Sequence, residues 1–151
     1  MRASGCVLGV LFAVGLAACA PVNISISPGD YANQVTDGTV ALYWNCLRAE
    51  PAIVAVRGAA NNPYYAQPIK DLTLTLYGVD AQGGTVSQAQ GSAQAFLIQL
   101  NNPTTFEVTL QTAGGEVRYD LAYSYTFGGG HFMSSGGDQR NLKMNACPSF
   151  R

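Results

Sequence analysis

Few residue types in this chain could carry chemistry, and their spacing narrows the choice. The single histidine, His131, stands in a glycine-rich stretch with Phe132 and Met133. A general base needs a partner that orients it. The acid that follows His131 most closely, Asp138, lies across Ser134-Ser135-Gly136-Gly137. His131 therefore reads as an exposed loop residue. Ser134 and Ser135 lack the strand-to-helix elbow that presents a hydrolase nucleophile. Gly128-Gly129-Gly130 has neither the Lys nor the Ser/Thr of a phosphate loop, and Asp30 and Asp37 are too few and too far apart for a calcium loop. No cofactor or metal is expected. The pair Tyr64-Tyr65 is different. It follows Asn61-Asn62-Pro63, and adjacent tyrosines flanked by amides offer stacking area and hydrogen bonds at low rotamer cost. Tyr64, Tyr65 and Asn62 are the candidate binding residues. The alternative is a Pro-stabilised turn whose tyrosines pack over the edge of the fold.

The four cysteines are Cys6, Cys19, Cys46 and Cys147. The first two belong to an N-terminal segment in which Arg2 precedes a run of small and apolar residues from Gly5 to Ala18. At about 1.5 Å per residue this run is too short to cross a bilayer core of roughly 30 Å, and it has the size of a signal-peptide core. Leu16-Ala17-Ala18-Cys19 resembles a lipobox, the bacterial signal for attaching lipid to a cysteine. The small residues suit a peptidase that binds extended backbone. The resemblance implies a diacylglyceryl thioether on Cys19 and an acylated (palmitate-type) new N-terminus, and two or three acyl chains anchor stably where one is marginal. Two other readings stay open: an uncleaved anchor, and plain secretion with cleavage after Ala20, which Pro21 would obstruct. Ala20 is not the Asp that in many Gram-negative bacteria retains a lipoprotein at the inner membrane. The resemblance thus implies the periplasmic face of the outer membrane, or the cell surface if there is one membrane.

With Cys6 leaving in the signal and Cys19 carrying lipid, Cys46 and Cys147 remain in a compartment where disulfides persist. A Cys46–Cys147 bridge is the natural pairing, closing a loop of about 100 residues. The other readings are two buried free thiols, or a redox or metal role. The last has no C-x-x-C spacing and no histidine beside a cysteine to support it.

Composition bounds the rest. Charged residues are 11% and apolar ones 48%, with Gly 17 and Tyr 8. That is enough apolar surface to offset the ordering entropy of one domain. A formal net charge of −1 supplies no long-range field, which argues against nucleic acid as a partner.

Period-two alternation dominates the chain after about Gly38. Val40, Leu42, Trp44 and Cys46 fall on one face, with Ala41, Tyr43, Asn45 and Leu47 opposite. Further strands are expected at Ile53–Ala60, Ile69–Tyr77 (Leu72, Leu74 and Leu76 inward), Thr85–Gln90, Phe96–Leu100 and Thr105–Thr112 (Phe106, Val108 and Leu110 together). The longest alternation comes last: Val117, Tyr119, Leu121, Tyr123, Tyr125 and Phe127. Its tyrosines read as core packing. About seven strands between Gly, Pro and Asn turns are the pattern of an all-β, immunoglobulin-like antiparallel β-sandwich. Pro21 to Gly38 reads as a tether, with Val22–Ile26 a short edge strand at most. Gly128 to Asp138 reads as a loop, and Leu142 to Cys147 as a tail that the disulfide pins onto the first strand.

Val56-Arg57-Gly58-Ala59-Ala60-Asn61-Asn62-Pro63, followed by Pro68-Ile69-Lys70-Asp71-Leu72-Thr73-Leu74-Thr75-Leu76-Tyr77-Gly78-Val79-Asp80, resembles FxLYD-type domains, immunoglobulin-like modules of bacterial and archaeal envelope proteins. A later aromatic strand of that family is similar to Thr105-Phe106-Glu107-Val108. Leu74 stands in place of the naming Phe, and Gly78-Val79 intervene before Asp80. The resemblance covers roughly residues 40 to 127 and implies a binding or spacer role with no active-site residues.

The expected organisation is a signal peptide over 1–18, a lipidated tether over 19–38 and a β-sandwich over 39–151. The expected function is that of a non-enzymatic envelope lipoprotein. It would be held to the membrane through Cys19 and would contact another envelope protein or a cell-wall glycan through its loops. A structural accessory subunit docking by a sheet edge is the second reading, and an enzyme a distant third.

Overall fold

A computed structural model describes residues 25–128, 130–134 and 144–147. Cys6, Cys19 and most of Val22–Ile26 lie outside the described residues, as do Ser135 and Asp138. Two antiparallel sheets pack face to face into an immunoglobulin-like sandwich. The first has the order β1-β2-β3-β7, built from Asn33–Thr36, Ala41–Glu50, Ile53–Asn61 and Thr104–Gln111. The second has the order β10-β8-β4-β5, built from Met144–Asn145, Arg118–Phe127, Ile69–Val79 and Thr85–Ser92. Two short strands flank it: β6 (Leu97–Ile98) pairs with β4, and β9 (Gly130–Ser134) pairs with β8.

The alternation read from the sequence is the alternation that is buried. Val40, Leu42 and Trp44 face Leu72, Leu74, Leu76, Leu121 and Tyr123 across a dry core that Val56, Phe106, Val108 and Leu110 complete. Gly58 sits in register between Trp44 and Phe106. A Cβ there would run into the Tyr43 carbonyl, the Phe106 ring and Trp44 Cβ, so only glycine admits both large side chains.

Several expectations need correction. The stretch expected as tether up to residue 38 contributes β1, which pairs with β2 from Asn33↔Trp44 to Thr36↔Ala41. Within the stretch expected as loop, residues 130–134 form β9, because the backbone ladder to β8 runs from Tyr123↔Ser134 to Phe127↔Gly130 whatever the glycine content. Of Phe96–Leu100 only Leu97–Ile98 is strand. β4 bulges at Lys70–Asp71, with Asp71 at φ 54°, and its ladder to β6 holds only Ile69↔Ile98 and Lys70↔Leu97. The bulge also flips the pleat, so that Ile69 and Leu72 are both buried despite their opposite parity. Val117, expected to open the last alternation, precedes β8 and is 66% exposed.

The tail joins the sheets rather than lying on one. Met144 and Asn145 pair with Leu121 and Asp120 of β8, and Ala146 N–H donates to the Tyr119 carbonyl at 2.7 Å. From there Cys147 is disulfide-bonded to Cys46 of β2, with Cα atoms 5.6 Å apart and a sequence separation of 101. Beside it the Trp44 indole N–H donates to the Ala146 carbonyl at 2.9 Å. At one lateral edge the chain after β5 also crosses between sheets: Ala93 N–H bonds the Leu72 carbonyl, and Gln94 N–H bonds the Thr105 carbonyl at 2.9 Å.

Removing the bridge frees a long loop in the unfolded chain. Cys46→Ala combined with Cys147→Ala is expected to lower stability by about 2–4 kcal/mol. Denaturant unfolding of the two proteins checks this, and coincident midpoints would remove the disulfide from the account of stability.

Candidate binding site

The turns that cluster at one end of the sandwich come from the starts of β2, β4 and β7 and the ends of β3 and β8. Ala41 pairs with Asn61, Ala60 with Thr104, and Lys70 with both Thr126 and Leu97. This end therefore carries the Asp37–Gly38 turn, the 62–68 loop, the 99–103 loop and the Gly128 turn.

Asn62 organises the tyrosine loop from below. It is wholly buried. Its side-chain Nδ2 donates to the carbonyls of Tyr65 (2.8 Å) and Gln67 (2.9 Å) and, longer, of Ile98 (3.4 Å), while its Oδ1 accepts the Tyr65 N–H at 3.1 Å. Its backbone carbonyl accepts the Asn101 N–H at 2.9 Å, tying the 99–103 loop to the 62–68 loop. Buried backbone groups must find partners, and one amide side chain serves four of them. Asn62 is thus a positioning residue with no polar atom left for a ligand, which differs from the expectation that it would line the site.

The tyrosines are exposed. Tyr64 is 62% and Tyr65 44% accessible. The Tyr65 ring rests against the half-buried Phe127 at 5.1 Å between centroids, and the Tyr64 ring stands edge-on to it at 6.5 Å and 78°. Phe96, 67% exposed, and Leu97 and Leu100 on the adjoining segment add apolar surface. The alternative in which the tyrosines pack down over the sandwich edge holds for one side of Tyr65 only.

Inside this end lies a polar hub that sequence reading passed over. Asp37 Oδ1 accepts the N–H groups of Thr39 and Val40 at 2.9 and 3.0 Å, closing the turn. Its Oδ2 accepts the Tyr125 hydroxyl at 2.8 Å and, at 3.4 Å, that of Tyr123. The two phenol rings stack with centroids 6.4 Å apart. Asp37-Gly38 is legible as a turn, but a carboxylate that reaches tyrosines 86 and 88 residues away leaves no local signal. Burial, with a smaller effect from the Asp37 carboxylate, pushes the Tyr125 hydroxyl up to about 12, against an opposing bond from Thr39.

A depression of about 360 Å³ lies on the outer face of the first sheet among Tyr31, Asn45, Leu47, Arg57 and Glu107. Its two ionic groups bond each other, Arg57 Nη2 to Glu107 Oε1 at 2.9 Å, and that bond holds the exposed Glu107 carboxyl below its usual value. Asn45 is engaged with the 3-10 turn Pro28–Asp30, accepting from Ala32 N–H and donating to the Asp30 carbonyl. Among the described residues no three His, Cys, Asp or Glu side chains gather as metal ligands would. His131 lies on β9 opposite Thr126.

Because the native Tyr125 hydroxyl titrates higher than an unfolded tyrosine (about 10), its contribution is fully present below about pH 10 and lost between about pH 10 and 12. Across that window unfolding free energy is expected to fall by on the order of 2 kcal/mol more in the native protein than in Tyr125→Phe. Buried Tyr119, also raised by burial, titrates in both proteins, so the difference isolates Tyr125. Equal alkaline slopes would contradict the assignment.

No family model and no curated protein matches this chain. Two similar solved structures are the GAE domain of GGA2p from Saccharomyces cerevisiae, 10% identical over 68% of this chain and 89% of that one with a TM-score of 0.46, and the yeast GGA1 GAE domain, 10% identical over 66% and 89% with a TM-score of 0.45.

Proposed function

We propose that this chain is a lipid-anchored, non-catalytic binding module of a bacterial cell envelope, holding its partner with the Tyr64–Tyr65 loop. The observation that carries the reading is the pairing of two exposed aromatic rings with a fully buried amide beneath them. Asn62 fixes the Tyr65 backbone through both its N–H and its carbonyl, so the ordering entropy of the loop is largely met before a partner arrives. Rings held out on a rigid scaffold are the arrangement by which loops of a sandwich bind.

The direction of the chain agrees with this. The Pro28–Asp30 turn is strapped to Asn45, four positions along β2 from Ala41, which is roughly 13 Å of strand away from the tyrosine end. The described chain thus meets the body on a flank, away from that end. Docking by an edge of the first sheet is less well served. The β1 edge has only four residues, and the β7 edge is partly covered by the chain following β5. Short edges make poor templates for strand addition.

Two experiments test the two halves. Cys19→Ala is expected to move the protein from the membrane to the soluble envelope fraction, and undiminished membrane retention would defeat the anchor. Tyr64→Ala with Tyr65→Ala is expected to abolish capture of crosslinked partners from native membranes. Stability should change by less than about 1 kcal/mol, as for exposed positions generally. Capture that survives both substitutions would defeat the loop.

A further inference from the structure

The composition of the two loops at this end points to the class of ligand. Residues 61–68 read NNPYYAQP and residues 96–103 read FLIQLNNP. Neither contains an acidic or basic side chain. The side-chain amides of Gln67, Gln99, Asn101 and Asn102 are exposed and make no hydrogen bond among the described residues. Their backbone is ordered nonetheless. Asn101 holds φ 52°, its N–H is bonded to Asn62, and Asn102 N–H bonds the Gln99 carbonyl at 3.1 Å. Unpaired amides in a fixed turn thus lie across Asn62 from two rings set at 78° to each other.

From this juxtaposition we infer that the tyrosine end binds a neutral glycan. The inference rests on the binding-loop reading above and names its ligand class. A pyranose ring has an apolar C–H face, which the negative face of an aromatic ring attracts, and a rim of hydroxyls that both donate and accept. Amide side chains do the same, so each Asn or Gln can meet a hydroxyl in either sense. Neither loop offers a charge to a phosphorylated, acidic or basic ligand; the charges nearby include Lys70, beside Leu97, and Asp37, whose carboxylate already accepts from Thr39, Val40 and Tyr125. A protein partner of standard size needs about 800 Å² on each side, usually around a dry apolar core. Here the apolar groups are interleaved with free amides on a scale of single residues, which matches a sugar and not such a core.

The test uses the full chain in detergent micelles, titrated by calorimetry with chitotetraose and, separately, with cellotetraose. Saturable binding of at least one is expected. It should weaken about tenfold or more in Tyr65→Ala, survive largely intact in Tyr65→Phe, which keeps the ring, and be unaffected by Leu47→Ala on the far groove. Absence of saturable binding to both sugars, or binding indifferent to Tyr65→Ala, overturns the glycan. If sugars fail while crosslinked capture of an envelope protein still requires Tyr64 and Tyr65, only the ligand class falls. If capture is also independent of them, the binding-loop reading falls with it.

Discussion

The peptide at Ala146 is the point on which the two sheets depend. Its N–H is donated to β8 in the second sheet and its carbonyl accepts the indole of Trp44 in the first, while the next residue is covalently bonded to Cys46. A sandwich is otherwise held by non-directional burial, which fixes the distance between layers better than their lateral alignment. One residue with a backbone bond to each layer fixes the alignment. Gly58 leaves room for Trp44 Cβ and the Phe106 ring beside it, so a glycine in the middle of β3, unfavourable for a strand taken alone, becomes a requirement of the core.

At the other end the same problem is solved without a covalent bond. Asp37 and Asn62 each gather several donors or acceptors from distant parts of the chain, one joining the β1–β2 turn to the tyrosines of β8, the other joining the two loops that carry exposed rings. Asn62 is buried, and a buried polar group destabilises unless paired, whereas fully paired it specifies one arrangement. The loops at this end are therefore well defined although they present much apolar surface. Because the hubs bond backbone and buried phenols, the exposed rings carry little of the stability.

Much of this architecture was legible because it follows from period two. The inward faces of β2, β4, β7 and β8 could be read residue by residue, and the disulfide followed from counting the thiols that remain once the two of the N-terminal segment are set aside. What escaped reading did so for identifiable reasons. The Asp71 bulge reverses the pleat ahead of Leu72 through a single left-handed residue, which alternation cannot anticipate. β9 is specified by the ladder that β8 offers, and the Gly-rich sequence on either side of it points away from a strand. β1 has four residues and a polar pattern, so its pairing with β2 decides its state. Asn62 and Asp37 look like ordinary turn formers, and their partners lie at separations of up to 36 and 88 residues respectively. The tyrosine loop was found from composition, but whether each neighbour touched a ligand or held the loop was a question of burial.

That division between residues that hold and residues that present explains why the tyrosine pair can sit beside Pro63 and four asparagines without loosening the fold. Asn61 ends β3, Asn62 is consumed by the backbone, Asn101 adopts the left-handed conformation its turn needs, and Asn102 closes that turn. One residue type thus meets two different backbone demands, a side-chain hub at Asn62 and a left-handed turn at Asn101, and the side chains of Asn101 and Asn102 remain exposed. Exchange of Tyr64 or Tyr65 would leave every one of these backbone bonds in place, because none of them involves a phenol. The geometry of the loop is accordingly independent of the rings it displays, and the identity of those rings is left for recognition to decide.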